Sequence, residues 1–196
     1  MPAADPIRFL AAAVKSPGRV GAVAPSSRHL AAAMLRGIEL DHGSTVIEFG
    51  PGTGPFTRAV RIAMPTRSRY LGIERDEKFV KLLRDRHPDM PVVHGSAEDA
   101  ARHVADAQLD PATIKLILCG LPFASLPATV QRNVVNALDQ LLPPGSHFRT
   151  FQYIHAYPLP TAARYRRMMA ERFGPVTRSP VVLRNLPPAF VLSWSR

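Results

Sequence analysis

One stretch, Val46-Ile47-Glu48-Phe49-Gly50-Pro51-Gly52-Thr53-Gly54, constrains the fold of this chain more than any other. Val46 to Phe49 is a short apolar run holding one acid. Gly50, Gly52 and Gly54 follow, and Pro55, Phe56, Thr57, Ala59, Val60 and Ile62 then open a helical pattern. A strand feeding a glycine turn feeding a helix is a cradle for a nucleotide-like cofactor. The glycines let backbone approach where a Cβ would clash, and the helix start offers free N–H groups. Glu74 lies 20 residues beyond Gly54, behind the run Tyr70-Leu71-Gly72-Ile73, where an acid is placed to accept from ribose hydroxyls. The spacing is GPGTG, whereas a dinucleotide site needs GxGxxG with the last glycine opening the helix.

From Ser44 onward apolar runs alternate with helical patterns, which predicts βαβ units and an α/β fold. Strands are expected at Thr45–Phe49, Arg69–Ile73, Val92–His94, Ile114–Cys119 and His147–Gln152. Helices are expected near Phe56–Ala63, Asp76–Arg86, Ala97–Ala105, Ala128–Leu142 and Thr161–Phe173. Two final runs, Thr177–Arg184 and Ala189–Trp194, are joined by Leu186-Pro187-Pro188 and predict an antiparallel pair closing a mostly parallel sheet. Ahead of this domain, residues 44–196, the segment 1–43 reads as a helical extension. Ile7, Leu10, Ala11 and Val14 form one stripe with Arg8, Lys15 and Arg19 off it, and Pro17-Gly18 ends that helix. A loop over Gly21–Pro25 leads to a second helix, Ser27–Arg36, capped by Ser26 or Ser27.

The chain has 196 residues, within the size of one domain. Its single cysteine, Cys119, excludes an internal disulfide and favours a reducing compartment. No run of ~18 apolar residues or signal-like start occurs, so the expectation is a cytoplasmic protein. The 25 Lys and Arg against 15 Asp and Glu give a formal net charge of +10. That balance implies a polyanionic partner, nucleic acid or an anionic membrane, without separating the two.

The GPGTG turn, with Glu48 two residues before it, resembles the first motif of the class I S-adenosylmethionine-dependent methyltransferases. The resemblance implies a Rossmann-like three-layer fold. Gly50, Gly52 and Gly54 would face the amino-acid and ribose parts of S-adenosylmethionine, Glu48 its ammonium, and Glu74 both ribose hydroxyls. Adenine would fall to Ser96, Ala97 N–H or Glu98, in the stretch His94-Gly95-Ser96-Ala97-Glu98, where many relatives carry an acid at position 96. Gly120 and Leu121, in Cys119-Gly120-Leu121-Pro122-Phe123, would complete the cofactor wall. In methyltransferases of exocyclic base amines that position carries Asn/Asp-Pro-Pro-Tyr or Asn-Leu-Pro-Tyr, whose polar side chain accepts from the target amine. Gly120 has none, which argues against base methylation. Phe123 remains as a ring to stack on a substrate or to cover the cofactor methyl.

After the fifth strand come Gln152, Tyr153, His155, Tyr157, Arg164, Tyr165, Arg166 and Arg167. Arginines among aromatics suit a phosphate beside a ring, or a phosphate joined to an amine that becomes quaternary. Three stretches resemble the bacterial phospholipid N-methyltransferases, which methylate phosphatidylethanolamine or related aminolipids. They are Ser16-Pro17 with Gly21–Ala31; the Glu48–Gly54 turn with Gly120–Phe123; and Phe151-Gln152-Tyr153 with Arg172-Phe173-Gly174 and Asn185–Ala189. The resemblance implies a seven-stranded sheet, S-adenosylmethionine as donor with S-adenosylhomocysteine as product, and an aminophospholipid acceptor. It also implies an N-terminal amphipathic helix on an anionic membrane, the protein being peripheral on the inner face of the cell membrane. No metal or nucleic acid is called for, although the Glu48–Thr57 segment also resembles rRNA adenine dimethyltransferases. On this reading Arg28, Arg164 and Arg167 are candidates for the lipid phosphate. Tyr153, Tyr157 and His155 are candidates to take the amine proton, and the sequence does not choose among them. An ornithine lipid is an alternative acceptor.

Overall fold

The computed structural model describes residues 26–196; the expected helix around Ile7–Val14 and the Gly21–Pro25 loop lie outside them. The first described helix, α1 (Arg28–Leu35), is capped by Ser27, whose hydroxyl accepts from Leu30 N–H at 3.1 Å. Such a cap is worth about 1 kcal/mol. The chain then alternates as expected: β1 (Thr45–Phe49), α2 (Pro55–Ala63), β2 (Arg69–Glu74), α3 (Glu77–Arg86), β3 (Val92–His94), α4 (Ala100–Asp106), β4 (Ile114–Cys119), α5 (Ala128–Leu141), β5 (His147–Tyr153), α6 (Pro160–Phe173), β6 (Thr177–Arg178) and β7 (Ala189–Ser195).

The strands form one seven-stranded sheet in the order β3-β2-β1-β4-β5-β7-β6. The first five pair in parallel, and β7 runs antiparallel to both β5 and β6. β1 is central and buried at every residue, which is why it reads as a continuous apolar run. Alternation along the strands divides the core. Val46, Tyr70, Leu116 and Leu118 face a layer built from α1, α2 and α3, with Leu30, Met34, Phe56 and Leu83. Ile47, Phe49, Leu71 and Ile117 face α4, α5 and α6, with Val104, Leu138, Tyr165 and Met169. This is a three-layer Rossmann-like sandwich of the class I methyltransferase type, and its strand order reverses between β1 and β4. In an open sheet of this kind the ligand crevice lies outside the carboxyl ends of the strands at that switch point.

Two elements depart from expectation by more than one residue at an end. The run Thr177–Arg184 is not one strand: β6 is two residues long and only an isolated bridge, Val182 to Ala189, follows. Pro180 has no N–H to give a ladder. The helix expected over Ala97–Ala105 starts as a 3-10 turn, Ala97–Asp99, before α4 takes over.

Candidate active site

Each glycine loop is tied into the next strand. Gly50 N–H donates to Ile73 O, Gly95 N–H to Glu74 O, and Gly120 N–H to Phe49 O at 2.8 Å. These bonds hold the loops after β1, β3 and β4 around one crevice. Gly50, Gly52 and Gly54 all have positive φ, the left-handed region where a side chain is strained. Gly120 is constrained differently: a Cβ there would stand 2.5 Å from the carbonyl oxygen of Gly50. Across the same contact, Leu121 packs its side chain where a Gly50 Cβ would go. The two loops are thus pressed together, backbone to backbone.

Glu74 ends β2 with its carboxylate turned onto the glycine loop. Oε2 accepts from Gly52 N–H and Oε1 from Asp76 N–H, both at 2.9 Å. Each oxygen keeps a second lone pair for a donor in the crevice. Glu48 lies differently. It is fully buried between β1 and α2, where Oε2 accepts from Tyr70 OH at 2.6 Å and Thr57 OH at 2.8 Å. Its Oε1 has no partner among the described residues. Burial raises the carboxyl to about 7, against the pull of those two hydroxyls. Tyr70 and Thr57 were not singled out by the sequence; only the buried acid called for partners.

Beyond β3, the Ser96 hydroxyl accepts from Glu98 N–H and donates to Glu98 Oε1, while Asn133 holds Glu98 Oε2. Of the three groups considered for adenine, Ala97 N–H is the one with no acceptor among the described residues. His103 packs its ring where a Gly95 Cβ would be, with Nε2 buried and unpaired, a residue that no sequence signal marked.

The structure separates the acceptor candidates. Tyr153 joins the α1–α2 side of the core, edge-on to Phe151, with His155 stacked on it at 5.6 Å and exposed. The Tyr153 hydroxyl is buried without a partner, and burial pushes it up to about 12. Tyr157 joins the opposite side, edge-on to Phe190, with the Arg166 guanidinium 3.8 Å from its ring centroid. Tyr153 and His155 therefore form one group and Tyr157 another. Arg166, which also donates to Gln152 Oε1 and Tyr157 O, is an ordered part of the wall and not a solvated helix residue.

Phe123 is corrected as well. It is buried and stacked on Tyr165 at 3.9 Å, so the ring expected to face a substrate is a core contact behind the loop. Gln131, missed in the sequence, holds that loop: its Nε2 donates to Phe123 O at 2.5 Å, and its Oε1 receives Arg164 Nε at 3.4 Å. Arg164 is thereby brought to the β4 loop. Arg167 and Arg28 are exposed, and neither has a protein partner among the described residues that would draw it to Arg164. Cys119, buried at the end of β4 with its thiol pushed up to about 12 by burial, is a packed apolar residue there.

A crevice with this strand order, a glycine turn of positive φ and an acid aimed at that turn fits S-adenosylmethionine. The Gly50–Gly120 contact leaves backbone where a side chain would fill the cradle, and Glu74 offers free lone pairs beside it. Solved structures agree in fold. An S-adenosylmethionine-dependent methyltransferase from Aquifex aeolicus matches with TM-score 0.61 at 14% identity, over 97% of this chain and 98% of its own. Aeropyrum pernix fibrillarin with bound S-adenosyl-L-methionine matches with TM-score 0.61 at 16% identity, over 84% and 73%. In sequence, an ornithine lipid N-methyltransferase from Singulisphaera acidiphila is 31% identical over 187 residues, 92% of this chain and 91% of that enzyme. A ribosomal RNA small subunit methyltransferase A from Chlorobium phaeobacteroides is 27% identical over 70 residues, 36% of this chain and 25% of that one. No protein-family model matches the chain. Fold and cradle together define an S-adenosylmethionine-dependent methyltransferase of class I. Within that class, the chain belongs to the family of the Singulisphaera ornithine lipid N-methyltransferase.

Proposed function

We propose that this enzyme methylates the amine of a membrane aminolipid, an ethanolamine phospholipid or an ornithine lipid, while bound peripherally to the inner, anionic face of the cell membrane. The observation that carries the reading is at Gly120. A base-amine enzyme needs a polar side chain there, and here a Cβ would run into the Gly50 carbonyl. The likeness to a lipid N-methyltransferase over 92% of the chain, against a likeness to the RNA enzyme over 36%, supports the same acceptor class. Among the described residues no helix is long and apolar enough to cross a membrane.

S-adenosylmethionine, when bound, supplies an electrophilic methyl on a cationic sulfur and departs as S-adenosylhomocysteine. Glu74 and the Gly50–Gly54 backbone would hold it, Ala97 N–H would be the donor left for its adenine, and Gly120 and Leu121 would close the wall. Glu48 acts on the ammonium end only through the β1–α2 layer in which it is buried. The lipid amine must reach the methyl as its free base, because an ammonium has no lone pair for the new N–C bond. The Tyr153 phenol, pushed up to about 12, is a neutral hydroxyl at working pH. It holds the amine through an oxygen lone pair and does not take its proton. His155, exposed and stacked beside it, passes that proton to water. Tyr157, with Arg166 over its ring, shapes the wall. Arg164 and Arg167 meet the lipid headgroup, and Arg28 faces the leaflet. Alignment of the amine with the methyl would supply much of the rate.

The test is label transfer from methyl-labelled S-adenosylmethionine to three acceptors in parallel: vesicles with phosphatidylethanolamine, vesicles with ornithine lipid, and ribosomal RNA. Label in either lipid supports the reading and picks the headgroup. Label in RNA alone overturns it.

A further inference from the structure

The loop 179–188 between β6 and β7 has an unusual surface. Ser179 N–H donates to Val191 O and Val182 N–H to Ala189 O, so the segment follows β7 as far as Val182. Residues 183–188 then turn beyond the last pair, at the end of the sheet where β7 begins and the parallel strands finish. That end carries the crevice. The turn is fixed by Asn185, which is buried: its Oδ1 accepts from Ser27 N–H at 2.9 Å and its Nδ2 donates to Pro187 O at 2.7 Å. On either side of this anchor, Leu183 is 75% and Leu186 77% exposed. Ile154, whose N–H donates to Pro188 O, is 41% exposed next to them. Leucines held in water by a rigid turn add nothing to folding.

Behind the loop runs a groove of about 590 Å³ against α1, lined by His29, Arg36, Arg149 and Arg184 and by no carboxylate. Arg149 is held in place by the carbonyls of Met34 and Arg36. An apolar tip flanked by cations matches one partner best, a bilayer whose acyl region takes leucine while its phosphates meet arginine. A second copy of this chain would set like charge against like, at +10 each. An RNA would satisfy the arginines and leave the leucines in water.

We propose that the 179–188 loop, with Leu183 and Leu186 at its tip and the arginine-lined groove behind, docks the enzyme on an anionic lipid bilayer. This rests on the reading that the acceptor is a membrane lipid, and it explains how that lipid arrives. Tyr153 pairs with Ala189 at the base of the loop, with His155 stacked on it. An amine rising from the leaflet beside Leu186 thus meets the Tyr153–His155 pair.

The test uses the full chain and vesicles of phosphatidylglycerol with phosphatidylcholine. Because Cys119 is fully buried, Leu186→Cys can be labelled alone with an environment-sensitive fluorophore. The label should shift to the blue on anionic vesicles, and show no shift on pure phosphatidylcholine or in buffer. Leu183→Ser with Leu186→Ser should weaken flotation with anionic vesicles about 100-fold, roughly tenfold for each leucine. A blue shift in buffer alone, showing the loop already covered by its own chain or a second copy, would overturn the proposal. So would unchanged flotation of the double variant. Transfer to aminolipid in detergent micelles separates the two readings. If wild type fails there while flotation still depends on the leucines, the acceptor is wrong and the docking surface stands. If transfer succeeds and flotation ignores the leucines, only the docking surface falls.

Discussion

The two halves of the sheet are built to opposite electrostatic plans. Residues 44–110, carrying β1 to β3, hold ten basic and ten acidic side chains; residues 111–196 hold ten basic side chains against Asp139 and Glu171 alone. In the first half the acids do the positioning: Glu74 clasps the glycine loop, and Glu48 gathers Tyr70 and Thr57. In the second half those two acids are spent on arginine near the surface or left in water. Asp139 binds both Arg172 and Arg196, and Glu171 is exposed. The first half, where acids match bases in number, suits a cofactor that carries a sulfonium and an ammonium against one carboxylate, and the basic half suits the acceptor proposed above, in an anionic membrane. On the proposed reading, methyl transfer takes place on the seam, where Gly120 meets Gly50.

The seam should break most easily. Gly120→Asn forces a side chain onto the Gly50 carbonyl, and is expected to cut both cofactor binding and transfer by about 100-fold or more with helix content unchanged. Titration of S-adenosylmethionine beside a circular dichroism spectrum would show it; an active Gly120→Asn would mean the loops are not in contact. Glu74→Ala should weaken S-adenosylmethionine by about 30- to 100-fold, the cost of losing charged hydrogen bonds, and leave vesicle binding unchanged.

Glu48 sharpens the comparison through pH. Its carboxyl is raised from 4.5 to about 7 by burial. Between those values the native state keeps a proton that the unfolded chain has released. Stability from this group is therefore greatest below pH 4.5 and declines as pH rises to about 7, by roughly 3 kcal/mol in all. Glu48→Gln should remove that slope, so its Tm should match wild type in acid and exceed it above pH 7. A Tm difference independent of pH would show that Glu48 is ionised throughout.

On the acceptor side the effects are smaller. Tyr153→Phe should slow transfer about tenfold with S-adenosylmethionine affinity intact. Arg167→Ala should raise the apparent KM for lipid a few-fold, because an exposed guanidinium contributes little through water.

Legibility follows the same division. Every strand of the cofactor half was readable within a residue, because β1 and β2 are apolar on both faces and each is followed by glycine or an N-cap such as Asp76. Glu74 was readable because its spacing from Gly54 is set by one helix and one strand. The acceptor half was less so. Tyr153 and Tyr157 are four residues apart in sequence, yet a 3-10 turn, Ile154–Ala156, carries them to opposite layers. Periodicity does not register such a turn. Phe123 looked free because its cover, Tyr165, arrives from a helix 42 residues later. Gln131, Asn185 and Tyr70 act by contacts across the fold that no local pattern announces. The two-residue β6 was overread because Val181, Val182 and Leu183 look like strand, while Pro180 withholds the hydrogen bond that would extend one.

The most direct test of the division is the affinity for S-adenosylmethionine, measured without any acceptor, in a variant that joins Tyr153→Phe to Arg167→Ala. The two-plan account predicts a Kd within about twofold of wild type, since neither residue touches the glycine cradle or Glu74. A loss of about tenfold or more would contradict it, and would place the cofactor against the basic half as well.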